Sequence, residues 1–254
     1  MSSDVLKVPD WSMIDNPISF KHRSDTLLIT VGDSWTYGDS LGNTKVRNGV
    51  DDTEYRLNHV FGNIMSEAMD ASWYNIALPG GSNFLMLTWL EEIIMMGLHP
   101  YNEITCVVTL TESGRHEELK MMNRSLITQQ AVLNDILART YYVIKVLAKR
   151  YPNIHFITAH NFTDGNNSTI DLCELSWLEV LLDKTIQNDT RIVISDHIEQ
   201  MNYDARYPDV FDIIDRANAR IDLLDSCVYC NKEDSRHPTE EGHALWAEYL
   251  LNQL

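Results

Sequence analysis

Two short segments carry residue types that could do chemistry together. The first is Val31-Gly32-Asp33-Ser34-Trp35-Thr36-Tyr37-Gly38, which follows a continuous apolar run at 26–31. The second is Asp234-Ser235-Arg236-His237-Pro238, just before a terminal helical pattern. A serine hydroxyl is a poor nucleophile until a base takes its proton, and an imidazole base works best when a carboxylate orients it. Ser34, His237 and Asp234 are therefore candidates for nucleophile, general base and orienting acid. An aspartate and a histidine three apart meet if the chain turns between them. Pro238 stiffens that turn, because it fixes its own φ and restricts His237 to an extended conformation. Read singly, Asp33 or Ser34 could serve only to cap a helix, and the second segment could be a solvated loop.

The positioning elements follow from hydrophobic pattern. Continuous apolar, β-branched runs at 26–31, 72–77, 104–110 and 154–158 predict strands, with a fifth at 191–195. Between them, Leu57, Val60, Phe61, Ile64, Met65 and Ala68 recur at helical spacing, and 84–98 and 172–182 read as helices. A long amphipathic helix carries Val132, Leu133, Ile136, Leu137, Val143, Ile144 and Leu147 on one stripe and stops at Tyr151-Pro152. A terminal helix is expected over 238–250, with Pro238 first and Glu240 and Glu241 in its first turn. Strands alternating with helices predict a parallel sheet with crossover helices. In such sheets ligands bind beyond the carboxyl ends of the strands, where Ser34 would stand. Residues 1–24 read as an irregular arm, 25–254 as a single domain and 42–53 as a polar surface loop, while 196–230 gives no assignment.

Composition narrows the classes. The 254 residues hold 20 Lys plus Arg against 37 Asp plus Glu, a net charge of −17 with no basic stripe, which argues against nucleic acid as a partner. No stretch of about 18 apolar residues predicts a transmembrane span. The first residues lack the basic start and apolar run of a signal peptide, so the expectation is a cytoplasmic or particle-associated protein. Four cysteines in this length make no disulfide framework.

Taken together, the GDS string after the first strand and D-x-x-H-P before the last helix resemble the SGNH (GDSL) hydrolase family of esterases and lipases. The resemblance covers residues from about 25 to 254. It implies a flavodoxin-like three-layer α/β/α sandwich with a mostly parallel central sheet. It also implies Ser34 as nucleophile, His237 as base and Asp234 as its partner, with backbone N–H groups of Ser34 and of a glycine after the second strand in the oxyanion hole. That glycine is Gly80, with Gly81 as a near alternative. The family's third motif, G-x-N-D, supplies an asparagine donor, whereas this chain reads Thr109-Leu110-Thr111-Glu112-Ser113-Gly114-Arg115. Thr111, Ser113, Arg115 or Asn83 are the candidate replacements.

The activity so implied is ester hydrolysis on a small-molecule or carbohydrate ester, with acetyl groups on sugars as the leading substrate and no cofactor or metal. The alternative is an SGNH-fold binding or structural module with weak or no turnover, such as a particle-surface or carbohydrate-adhesion component. Oligomeric state is not readable. Among lesser candidates, Cys227-Val228-Tyr229-Cys230 is a CxxC without the context of a redox or zinc site. His160 follows a strand near the functional edge, and Asp196-His197 is the rival acid–base pair. His243 is expected to pack or face solvent, Trp35 and Tyr37 either to stack on a sugar or to pack above the sheet, and Met86, Met95 and Met96 to fill the core.

Overall fold

Among the described residues, the strands pair into a five-stranded sheet in the order β1-β3-β2-β4-β5. The computed structural model describes residues 18–98, 101–111, 130–161, 173, 175–185, 224–225, 227–231 and 236–254. The strands are β1 (Ile18–Lys21), β2 (Thr26–Gly32), β3 (Ser72–Ala77), β4 (Glu103–Leu110) and β5 (Ile154–His160). β2 pairs in parallel with β3 on one side and β4 on the other, β4 pairs in parallel with β5, and β1 closes the β3 edge antiparallel. The helices are α1 (Ser34–Tyr37), α2 (Thr53–His59), α3 (Phe61–Ala68), α4 (Asn83–Met95), α5 (Gln130–Arg150), α6 (Trp177–Thr185) and α7 (Glu240–Leu251).

Alternation along β2 divides the core in two. Leu27, Ile29 and Val31 point to one face, where Leu87 and Leu90 of α4 and Tyr141 and Ile144 of α5 cover them. Leu28 points to the other, into a cluster built from Phe61 of α3, Trp177 of α6 and Trp246 of α7. The strands of the sheet's centre are buried on both sides, which is why they read as continuous apolar runs and not as alternating ones. The result is a three-layer α/β/α sandwich on a mostly parallel sheet, as the resemblance implies. Trp177 anchors the second cluster: it meets Trp35 and Phe61 edge-on at 5.3 and 5.1 Å and stacks on Trp246 at 5.4 Å. Such pairs contribute about 0.5–1.5 kcal/mol each beyond the area they bury.

Several expectations need correction. Residues 18–21, assigned to the irregular arm, form β1, held to β3 through Ile18↔Ile76 and Phe20↔Tyr74. The helical spacing from Leu57 to Ala68 is broken at Val60, whose extended backbone (φ −73°, ψ 144°) caps α2 at one end and starts α3 at the other. The helix expected over 172–182 occupies Trp177–Thr185. Pro238 is not the first residue of the last helix: Thr239 is its N-cap, accepting from the Gly242 N–H, and Pro238 instead forms a β-bridge with Cys230. Met86 is buried, but Met95 and Met96 are exposed and fill no core. The strand expected at 191–195 and most of 196–230 lie outside the described residues. No described helix is long and apolar enough to cross a membrane.

Candidate active site

From β2 the chain leaves first to β3 on one side and then to β4 on the other, so the carboxyl end of β2 is the switch point of the sheet. Crevices form at such points, because successive crossovers diverge there. The residues at that end are Gly32-Asp33-Ser34. Asp33 caps α1 by accepting the Trp35 N–H at 3.0 Å, and the Gly38 N–H closes the turn onto the carbonyls of Ser34 and Trp35. Gly32 has to be glycine: a Cβ there would run into the Thr36 side chain, with the Thr109 carbonyl 3.2 Å away.

Asp33 does more than cap. Its fully buried carboxylate also accepts from the Asn161 amide at 2.7 Å and from the Thr111 hydroxyl at 2.7 Å. It therefore ties the turn after β2 to the residues that follow β4 and β5. A carboxylate this deep is tolerable only because each oxygen is hydrogen-bonded.

His237 arrives from the far end of the chain. Its Nε2 lies 2.8 Å from Ser34 Oγ, across 203 positions of sequence, and both residues are 7% exposed. With Nε2 as acceptor, the Ser34 hydroxyl donates to it, which is the arrangement needed for proton removal. The histidine is held by a hairpin. The Asn231 N–H donates to the His237 carbonyl at 2.8 Å, and the Thr239 N–H to the Tyr229 carbonyl at 2.8 Å. Just before His237, Arg236 adopts a left-handed backbone (φ 60°), while its guanidinium makes a two-point bond to Asp225 at 2.6 and 3.1 Å. A left-handed non-glycine residue costs about 1–3 kcal/mol, which the surrounding structure must outweigh. Asp234 lies outside the described residues.

The turn after β3 contains both candidate oxyanion glycines. Gly80 is exposed, with φ +72° and open space where a Cβ would be. A Cβ on Gly81 would instead strike the Leu78 side chain at 2.8 Å. Conformation thus requires glycine at 80 and close packing requires it at 81. Of the candidate third donors, the Thr111 hydroxyl is given to Asp33. Asn83 clasps the Thr111 main chain, its amide donating to the carbonyl at 2.9 Å and its oxygen accepting the N–H at 2.8 Å. These two residues fasten the Gly80 turn to the Ser34 turn through Asp33. Ser113 and Arg115 lie outside the described residues, as do Asp196 and His197.

The lesser candidates find structural places. Trp35 and Tyr37 are buried; the Tyr37 hydroxyl donates to Asp51, and the Arg56 guanidinium lies 3.8 Å over its ring. Cys227 and Cys230 are buried thiols, and the Cys227 side chain together with burial holds the Cys230 thiol well above its usual range. That is opposite to the lowered thiol pKa of a redox-active pair. His160 is buried against the Tyr141 hydroxyl at 2.6 Å. His243, within α7, is fully buried and accepts the Phe61 N–H on Nδ1 at 3.3 Å.

Burial pushes His160 down to about 4, and burial followed by the charge of His237 pushes His243 down to about 3. Both rings are neutral in the fold and would take up protons on unfolding once pH falls below the reference value of about 6.5. Their contribution is thus fully present above about pH 6.5 and is lost as pH falls toward the folded values. Each ring adds up to about 1.4 kcal/mol per pH unit to that slope. Urea midpoints should therefore hold from pH 7.5 to about 6.5 and then fall steadily down to pH 4.5. In a His243→Phe variant the fall should be shallower, and an equal slope would exclude His243 from the effect.

Sequence pattern did not reveal Asn161, Asp39 or the Asp225–Arg236 pair. Asn161 had one available signal, its place directly after β5 at the functional edge. Asp225 and Arg236, 11 positions apart in a stretch without periodicity, had none.

No protein-family model matches the chain, and no curated protein matches its sequence. Solved structures similar to it include a Corynascus thermopiles (Myceliophthora fergusii) carbohydrate esterase family 2 enzyme with a carbohydrate binding domain, at 13% identity and TM-score 0.41, over 92% of this chain and 67% of that one. An acetyl xylan esterase from the rumen bacterium Butyrivibrio proteoclasticus matches at 11% and 0.43, over 92% and 64%. A putative SGNH hydrolase from Slackia heliotrinireducens matches at 12% and 0.39, over 89% and 97%. This chain spans about two thirds of the length of the two carbohydrate esterases. With TM-scores below 0.5, these likenesses say nothing of its chemistry, which its own side chains must supply. What those define is a three-layer α/β/α protein with a serine and a histidine hydrogen-bonded at the switch point of its sheet.

Proposed function

We propose that the protein is a serine hydrolase that cleaves carboxylic esters. The observation that carries this reading is the 2.8 Å contact between Ser34 Oγ and His237 Nε2 at the switch point. His237 takes the Ser34 proton as the oxygen attacks an ester carbonyl, giving a tetrahedral oxyanion. The N–H groups of Ser34 and Gly80 hold that oxyanion. Ser34 is the first residue of α1, where main-chain N–H groups have no partner within the helix. His237 next protonates the departing alcohol, and water releases the acyl group by the same route. Asp234 supplies the carboxylate that orients His237.

Short acyl groups on carbohydrates are the substrates we put first, since a serine only 7% exposed favours a small acyl group over a long chain. The test is incubation with p-nitrophenyl acetate and a fluorophosphonate probe, followed by acetylated sugars and acyl chains of graded length. Labelling, turnover and a preference for acetyl are expected. Preference for long chains would remove the substrate assignment and leave the chemistry. A second reading, a binding module with little turnover, is favoured by the commitment of Thr111 and Asn83 to other partners, because one absent oxyanion donor costs about 2.7–4 kcal/mol. Neither labelling nor turnover in the unaltered protein would select it.

A further inference from the structure

Among the described residues, His237 Nε2 faces the side chains of Ser34 and Asp39. Beside Ser34 Oγ, the Asp39 carboxylate stands 3.8 Å from the same nitrogen, and both side chains are less than a tenth exposed. Asp39 belongs to neither sequence motif. Its main-chain N–H donates to the Ser34 carbonyl at 3.0 Å, so its backbone is tied to the nucleophile's own residue. Its Oδ1 accepts from the N–H groups of Ser40 at 3.1 Å and Val46 at 3.2 Å. One oxygen is thus fixed by main chain, and the other, Oδ2, is the one turned to the imidazole.

We propose that Asp39 is a positioning residue for His237: a second carboxylate, on the side of the ring that exchanges the proton with Ser34, which steadies the imidazole when it becomes charged. This rests on the esterase reading and deepens it. The proton passes from Ser34 Oγ to His237 Nε2, and Asp39 takes part in no covalent step. An opposite charge within about 4–6 Å favours the charged form of a group by about 1–3 pKa units. At this burial there is little water to screen the interaction.

The other titratable groups around His237 are identifiable. From α7, His243 interacts electrostatically with it and is neutral. From its own segment, Arg236 is paired with Asp225, while Asp234, the carboxylate of the sequence motif, lies outside the described residues. Near Asp39, Tyr37 is uncharged at neutral pH, while Arg56 is bonded to Asp51 at 2.9 Å and to the Tyr37 carbonyl at 3.0 Å.

Asp39→Asn removes the charge and keeps an oxygen to accept from Ser40 and Val46, so the loop should hold. The experiment is a histidine-labelled NMR titration of the full chain, with His237 assigned by its absence in His237→Ala. The His237 midpoint should fall by about 1 unit or more in Asp39→Asn. The acid limb of kcat/KM for p-nitrophenyl acetate should move down with it. Asp39→Glu, which keeps the charge, should stay closer to the parent. An unmoved midpoint in Asp39→Asn, or equal falls in both variants, overturns the proposal. Failure of the esterase reading shows separately, as no ester hydrolysis by the parent protein or as hydrolysis that survives Ser34→Ala, and the ring titration still reads Asp39 in either case.

Discussion

Ser34→Ala should lower kcat/KM on p-nitrophenyl acetate by on the order of 10⁴–10⁶-fold and abolish fluorophosphonate labelling. The size follows from chemistry, not from packing. Without Oγ no acyl-enzyme can form, and only oxyanion stabilisation of attack by water remains. The structural cost is small by comparison. The substitution removes a single buried hydrogen bond, to His237, with a net worth of about 0.5–1.5 kcal/mol. The Asp33 bonds to Trp35, Asn161 and Thr111 do not involve the hydroxyl and persist. A thermal midpoint within a few degrees of the parent, with activity gone, is the expected pair of results. Labelling that survives in Ser34→Ala would place the nucleophile elsewhere and end the proposal.

His237→Ala should cost nearly as much, about 10⁴-fold or more in kcat, because the groups of such a pair act as a unit. The two variants differ in what they leave behind. Ser34 keeps its hydroxyl, so slow labelling by the probe persists in His237→Ala and is absent from Ser34→Ala. Removal of a ring that is 7% exposed also leaves a space bordered by Ser34 and Asp39. Added imidazole should enter it and restore part of the rate, in proportion to its unprotonated fraction. A His237→Ala protein with parental activity, or one whose rate keeps the parent's dependence on pH, would remove His237 as the base.

The sheet was largely legible before the coordinates, and the reason is burial. β3 occupies the residues expected, and β2 and β4 extend one residue beyond them, because strands covered on both faces leave uninterrupted apolar runs. β1 was missed on the same grounds. ISFK is short, half polar and at an edge, so nothing in its own composition separates it from the irregular arm. The break at Val60 was hidden because its side chain is buried at the spacing a continuous helix would need, and only the backbone departs.

At the site, punctuation was informative. Ser34 follows a strand and is flanked by Gly32 and Gly38, and His237 is followed by proline, so both could be singled out locally. Asp39 could not, since its contact with His237 depends on a hairpin from the far end of the chain. The bond between Asp33 and Asn161, 128 positions apart, is equally invisible in one dimension. The family motif also suggested oxyanion donors in Thr111 and Asn83. Their actual use as fasteners depends on how the turns after β3 and β4 meet, which spacing along the chain does not encode.

The alcohol and the imidazole are mounted differently. Asp33 rivets the serine's turn to residues beyond two neighbouring strands, so Ser34 inherits the stiffness of the whole sheet. The imidazole hangs from a clasp whose backbone bonds, among the described residues, run to residues 229–231. If their alignment has to loosen for an acyl group to come and go, the give belongs to the histidine's mounting. Changes that slacken the clasp should therefore detune turnover while leaving the serine's seat intact.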